Sequence, residues 1–387
     1  MKSMKYNIKL ILVVILIFIA ELAFSNKQDI SEEHIAQLVR GFGYNVIKVQ
    51  NPNDAGPSFI NDIYEIIISE NSKQKNLIIK LTNVNWGFKK LNNEVNILKF
   101  LRKNSNIPIP TVLAHSQRLN ETVDGHYFIL MEKVNGRPLS SFWQQLSPKQ
   151  KIKLSSQLRK HVRELHHFNF NKIGSFTNLE KKQEPNEIIE IPKKSYPSAG
   201  SFYEYTNVLA NYYLKLIASK QPEINNEVAK YTKIILETIK QDETDLKFQF
   251  VLCHLDLSLK NIMATENQIT AILDWEWASA QPDFMEIFAS YDWLPNLKEK
   301  MEFQNQKQIK KSHFNGVKLL HILYSLACYD EWFEGGKLKH TARFLDSKLL
   351  QRKVKAALPI NSESQIKEIK INLKPNLIAE LRKIAKN

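Results

Sequence analysis

The apolar positions of this chain fall into two regimes. Between residues 46 and 134 they come in short runs of strand length, broken by Asn, Pro, Gly and Ser. Beyond residue 147 they recur mainly at every third or fourth position over long stretches, as on one face of a helix. The first regime predicts strands over 46–50, 62–69 and 76–81, the last two joined by a polar turn into a hairpin. Further strands are predicted over 111–115 and 127–134. Two helices interrupt this regime. One covers 31–40, with Ser31 as its cap and Ile35, Leu38 and Val39 on one side. The other covers 91–103, with Val95, Leu98 and Leu101 facing inward. Turn residues mark 51–58, Pro108 with Pro110, and 118–125. The second regime predicts helices over 147–167, opened by Ser147 and Pro148, and over 202–219, 223–240, 282–293 and 314–332. Amphipathic tail helices follow, divided by Pro359 and Pro375. The polar segment 169–200, with Pro185, Pro192 and Pro197, reads as a loop or a hairpin. Tyr203, Tyr205, Tyr212 and Tyr213 read as core packing. His161, His166 and His167 do not share one helical face, so they read as packing or capping groups, not as a metal site.

The stretch 248–278 departs from the second regime. Two apolar runs, Phe250-Val251-Leu252-Cys253 and 269–273, flank a short polar connection. His254, Asp256 and Asn261 accompany the first run, Asp274 and Glu276 the second. Burying Asp256 and Asp274 there without compensation would cost several kcal/mol each. Metal and phosphate supply that compensation. A phosphoryl transferase must orient an acceptor hydroxyl, hold magnesium on the phosphates and neutralise developing charge. Asp256 suits the first task, Asn261 and Asp274 the second, and two hard oxygen ligands are enough for magnesium. Lys80 lies inside an apolar strand and must reach solvent or a negative partner. Glu94, on the helix that follows, could hold its ammonium toward phosphate oxygens. Gly56 and Ser58, in the turn at 51–58, would let backbone amides approach phosphates, although a single glycine suits a plain hairpin turn equally well.

These residues carry a family resemblance. His254-Leu255-Asp256-Leu257-Ser258-Leu259-Lys260-Asn261, followed by Ile272-Leu273-Asp274-Trp275-Glu276, resembles the His-Gly-Asp-Leu-x-x-x-Asn and Ile-Asp-Trp-Glu segments of the aminoglycoside phosphotransferase and choline kinase group of small-molecule kinases. The resemblance runs outward in order through Asn61-Asp62-Ile63-Tyr64-Glu65-Ile66, Lys80, Glu94, Ile107 to Pro110, Leu130-Met131-Glu132, and Leu165-His166 before Ile173-Gly174-Ser175. It implies an α+β, two-lobed protein-kinase-like fold. A small antiparallel N-lobe would span 31–133 and bind nucleotide. A larger helical C-lobe would span 134–360, with a basic helical tail over 361–387. It also implies an enzyme that moves the ATP γ-phosphate to a hydroxyl of a small molecule. Asp256 would be the catalytic base. Asn261 and Asp274 would bind Mg2+. Lys80 would contact phosphates, with Glu94 orienting it, and the backbone near Met131 would meet adenine. His254 would brace the loop. Leu255 stands where the family usually has Gly, Ser258 where His is common, and the phosphate loop has the single Gly56. The Asp-Trp-Glu form argues against an ordinary protein kinase. A degenerate nucleotide-binding relative and an atypical protein kinase are the alternatives.

Composition adds little to this and excludes some classes. With 43% hydrophobic and 24% charged residues, the chain is ordinary globular material. The net charge of +14 is concentrated after Lys298, where Lys and Arg outnumber Asp and Glu about two to one. A solvated helical surface accounts for it, and no aromatic–basic interleaving points to nucleic acid. The two cysteines, Cys253 and Cys328, sit in apolar surroundings and in no ligand spacing. At the N-terminus, Lys2, Lys5 and Lys9 precede an apolar run over 10–20, with small residues at 23–25. Residues 1–25 thus read as a signal peptide or signal anchor, which would place the protein in the secretory pathway or on a membrane. A start site upstream of a cytoplasmic domain is the competing reading. No residue pattern names the acceptor.

Overall fold

The computed structural model describes residues 30–50, 61–83, 87–177, 184–185, 187–190, 194–243, 250–289, 310–327 and 363–386. The expectations for residues 1–25, for the turn with Gly56 and Ser58, for Cys328 and for Pro359 lie outside them. The chain divides into two compact units. One comprises Met1–Val84 with Leu113–Met131, the other Asn85–Val112 with Glu132–Asn387.

Among the described residues, the first element of the first unit is helix α1 (Glu32–Gly41). Ser31 caps it, its hydroxyl accepting the His34 N–H. Asp124 ties the same end, accepting from Ser31 N at 2.9 Å and meeting His34 Nδ1 at 2.6 Å. Strands β1 (Asn45–Gln50), β2 (Asn61–Glu70), β3 (Lys73–Asn83), β4 (Val112–His115) and β5 (His126–Glu132) form a five-stranded sheet in the order β1-β2-β3-β5-β4. The β2–β3 hairpin is antiparallel and in unbroken register from Asn61↔Thr82 to Glu70↔Lys73. Period-two alternation puts Leu77, Ile79 and Leu81 on one face of β3. They are fully buried with Ile66 and Ile68 of β2, Ile35 and Val39 of α1, and Phe128 and Leu130 of β5. Lys80 points from the opposite face and is nevertheless buried.

The second unit carries helices α2 (Phe88–Asn104), α3 (Pro148–Leu165), α4 (Phe202–Lys220), α5 (Pro222–Glu243), α6 (Phe284–Ala289), α7 (Lys311–Ala327) and α8 (Glu363–Lys386). Its strands are β6 (Arg137–Pro138), β7 (Asn169–Phe170), β8 (Glu187–Glu190), β9 (Lys194–Pro197), β10 (Phe250–Cys253), β11 (Ile262–Ala264), β12 (Ile269–Ile272) and β13 (Ser279–Gln281). They make two three-stranded sheets, β13-β10-β7 and β12-β11-β6, and the β8–β9 hairpin. α3 opens on a capping box between Ser147 and Gln150 with Pro148 in its first turn, and buries Leu154, Leu158, Val162 and Leu165. Gly136 stands at φ 94, and a Cβ there would come within 2.7 Å of the Ala264 carbonyl oxygen. Only glycine allows β6 to lie so close to β11. Within 169–200, a bridge pairs Ile173 with Ala199, alongside the β8–β9 hairpin. Tyr212 and Tyr213 are core residues.

Pro375 does not divide the tail; it lies inside a continuous α8. A proline removes one helical hydrogen bond and crowds the preceding turn. Here the flanks pay for it: Lys374 pairs with Glu223 of α5, and Leu377 and Leu381 are fully buried. Among the described residues no helix is long and apolar enough to cross a membrane.

Candidate active site

β10 is the middle strand of its sheet, and all four of its residues are buried. The chain leaves it through a strained turn. Leu255 adopts φ 65, a conformation that costs a residue with a Cβ about 1–2 kcal/mol and glycine almost nothing. This is the position where the family usually has Gly. The turn is held from behind by Glu286 of α6, whose carboxylate accepts the N–H of His254 at 2.5 Å and of Leu255 at 3.2 Å. His254 is wholly buried, with Nε2 at 2.9 Å from the Leu273 carbonyl and its ring 4.4 Å from that of Trp275. Its Nδ1 accepts the Asp256 N–H at 3.2 Å. A neutral ring protonated on Nε2 satisfies both contacts.

Asp256 follows. The Asn261 Nδ2 donates to its Oδ2 and to its carbonyl, both at 2.8 Å. Burial pushes the Asp256 carboxyl up to about 6; Lys260 opposes this, and the charges of Asp274 and Glu276 add to it. Asn261 sits beside Asp274 because the Leu273 N–H donates to the Asn261 carbonyl at 2.8 Å across the β11–β12 hairpin. That hairpin pairs Ile262↔Ile272 and Met263↔Ala271.

Asp274 takes a left-handed conformation, φ 68 and ψ 60, and leads into a 3-10 turn over Trp275–Trp277. Acceptor oxygens of Glu94, Asp274 and Glu276 lie within 4.8 Å of one another. Three carboxylates so close repel, and a hard cation relieves them. Glu94 Oε1 also accepts the Trp275 N–H at 3.4 Å. The donor set fits magnesium: it is all oxygen, and Asn261, with Nδ2 engaged by Asp256, has Oδ1 left to offer. Asn261, Asp256, Asp274 and Glu94 therefore gather in one unit. Lys80 and Met131, both buried, belong to the other.

Three residues at this site had not been singled out for it: Glu276 as a member of the carboxylate group, Asn93, and Glu286. Glu286 did leave a signal, a carboxylate set between Phe284-Met285 and Ile287-Phe288. A second buried group, His166, Cys253 and Glu286, brings ligating atoms within 4.8 Å behind the loop. Burial drives His166 down to about 4, and it drives the Cys253 thiol up, with Glu286 and Asp283 adding to the effect. Both are therefore neutral packing groups near pH 7.

The sheet, the helical unit and the paired loops define a kinase-like phosphotransferase. The chain belongs to the phosphotransferase enzyme family, whose profile matches residues 55–296. Clavilactone A biosynthesis cluster protein Y of Ampulloclitocybe clavipes is 26% identical over 255 residues, 57% of this chain and 62% of that protein. The match thus spans less than two thirds of that relative. The fold resembles that of APH(2")-IIa in its ternary complex with streptomycin and ATP, at a TM-score of 0.52 and 14% identity, covering 80% of this chain and 97% of that one. It also resembles a thermostable mutant of aminoglycoside phosphotransferase APH(4)-Ia, at a TM-score of 0.51 and 13% identity, covering 79% and 94%. The fold is α+β and protein-kinase-like.

Proposed function

We propose that the protein transfers the γ-phosphate of ATP to a hydroxyl of a small molecule, with Mg2+ as cofactor. The observation that carries this is the Asp256–Asn261 hydrogen bond set beside the Glu94–Asp274–Glu276 carboxylates. Asp256 has Oδ1 available to orient the acceptor hydroxyl and receive its proton, while Asn261 fixes Oδ2. A carboxyl titrating at about 6 is mostly ionised at pH 7 and close enough to neutrality to exchange the proton readily. Asp274 and Asn261 would hold magnesium, with Glu276 as a further carboxylate. Magnesium, when bound, would supply positive charge that offsets the charge of the phosphates. Lys80 would meet phosphate oxygens, Glu94 would orient it, Gly56 and Ser58 would line the phosphates, and the backbone at Met131 would meet adenine. APH(2")-IIa was solved with streptomycin and ATP, and a further variant of APH(4)-Ia with hygromycin B and AMP-PNP, which supports a nucleotide and a small-molecule acceptor. The test is ATP consumption with Mg2+ over a panel of hydroxylated metabolites, including aminoglycosides, choline and amino sugars. Turnover of one that vanishes in Asp256→Asn supports the assignment. Full turnover by that variant would sink it.

A further inference from the structure

Helix α2 meets two other segments of its own unit. One stripe, Lys89, Asn93 and Asn96, faces Phe176 and Glu187. Lys89 Nζ pairs with Glu187 Oε2 at 2.5 Å. Asn93 Oδ1 accepts the Phe176 N–H at 2.7 Å, and Asn96 Nδ2 donates to the Phe176 carbonyl at 2.7 Å. Two asparagines one helical turn apart thus satisfy both backbone groups of Phe176, as a neighbouring strand would. The other stripe faces the turn after Asp274. Lys90 Nζ lies 2.7 Å from the centre of the Trp277 ring, and Glu94 accepts the Trp275 N–H.

Asn93 belongs to both stripes. Its Nδ2 donates to the carbonyls of Glu276 at 3.2 Å and Ala278 at 2.8 Å, while its Oδ1 holds Phe176. The side chain is wholly buried. Asparagine is a poor helix former, so its place in the middle of α2 is explained by these three bonds and not by propensity. They span 83, 183 and 185 residues of sequence. Asn93 joins the helix that carries Glu94, the turn that carries Asp274 and Glu276, and the strand-like segment at Phe176.

We propose that Asn93 is a positioning residue that sets the Asp274–Glu276 carboxylates for metal, acting through the backbone of the turn. This rests on the functional reading above. Groups that orient metal ligands without touching the metal change affinity by about 10–100-fold when removed. The test uses the full chain with Mn2+ as probe, followed by electron paramagnetic resonance in the presence of ATP, alongside ATP binding in excess chelator and thermal melting. Asn93→Ser and Asn93→Asp are compared with Asn96→Leu, which removes a bond to Phe176 but none to the metal turn.

Both Asn93 variants should need about tenfold more Mn2+ for half-saturation and bind metal-free ATP as wild type does. Asn96→Leu should melt earlier with an unchanged Mn2+ requirement. Asn93 variants that saturate at wild-type Mn2+, or an Asn96→Leu shift as large as theirs, overturn the role. Hydrogen exchange covers the case in which a variant is too unstable to titrate: in wild-type protein without ligand, rapid exchange at Phe176 N–H would refute the bond on which the role depends. Wild-type protein that binds no Mn2+ with ATP overturns the functional reading itself, a result separable from any difference among the variants.

Discussion

The loop from Cys253 to Asn261 and the turn from Asp274 to Ala278 both present carboxylates to one site, yet they are held in different ways. The loop is braced by near neighbours in sequence: His254 reaches Leu273, 19 residues on, and Glu286 reaches back 31 and 32 residues. The turn is braced by α2, across 181 to 185 residues. The loop carries a single carboxylate made weakly acidic by burial, and the turn carries a group that a cation would relieve. Under the proposed function, the difference is one of task. A proton acceptor needs an exact distance to one hydroxyl, which a rigid local turn provides. A metal site needs several oxygens from separate segments, which only tertiary structure can assemble.

The comparison can be broken most sharply at Asp256. Asp256→Asn should lower turnover by at least about a thousandfold, the scale expected when a catalytic base is lost together with its positioning, read as phosphorylated product per time. The same variant should be more stable at high pH. The Asp256 carboxyl in the folded chain titrates at about 6, above its unfolded value of about 3.9, so its ionisation weakens the fold as pH rises through that window. Asp256→Asn should therefore gain about 3 kcal/mol above pH 7 and nothing below about pH 3, measured by urea unfolding at both pH values. In the wild type, kcat/KM should rise about tenfold per unit below pH 6 and level off above it.

Glu286→Ala comes next. It leaves two N–H groups, that of buried His254 and that of half-buried Leu255, without their acceptor, a cost of about 3 kcal/mol. Melting temperature and turnover should fall together, while the Mn2+ requirement of the turn stays unchanged. A shift in that requirement would show that the two regions are not independently braced. Leu255→Gly should have the smallest effect. It removes left-handed strain of about 1 kcal/mol but adds freedom to the unfolded chain, so stability should move by under about 1 kcal/mol with activity kept. A large loss of activity would mean that the Leu255 side chain itself matters at the site.

The same contrast explains what the sequence disclosed. His254, Asp256, Asn261 and Asp274 lie within about twenty residues, and their spacing alone suggested a site. The β2–β3 hairpin and α3 were legible from period and caps, because local chemistry decides them. Asn93 was not legible: an asparagine in a helix reads as a surface residue until the turn it holds is in view. Pro375 misled for the opposite reason, since packing of Leu377 and Leu381 overrides a local breaker. Glu286 lay between these cases, visible as a charge among apolar residues but with nothing local to say what it holds.

Cys253 has one more consequence. Its thiol is sealed inside the central strand of the β10 sheet, one residue before His254. An alkylating reagent can reach it only when that strand detaches. In a Cys328→Ser background, the labelling rate of Cys253 becomes a stopwatch for the opening of the strand that leads into Asp256, readable on the intact protein by mass and without any substrate.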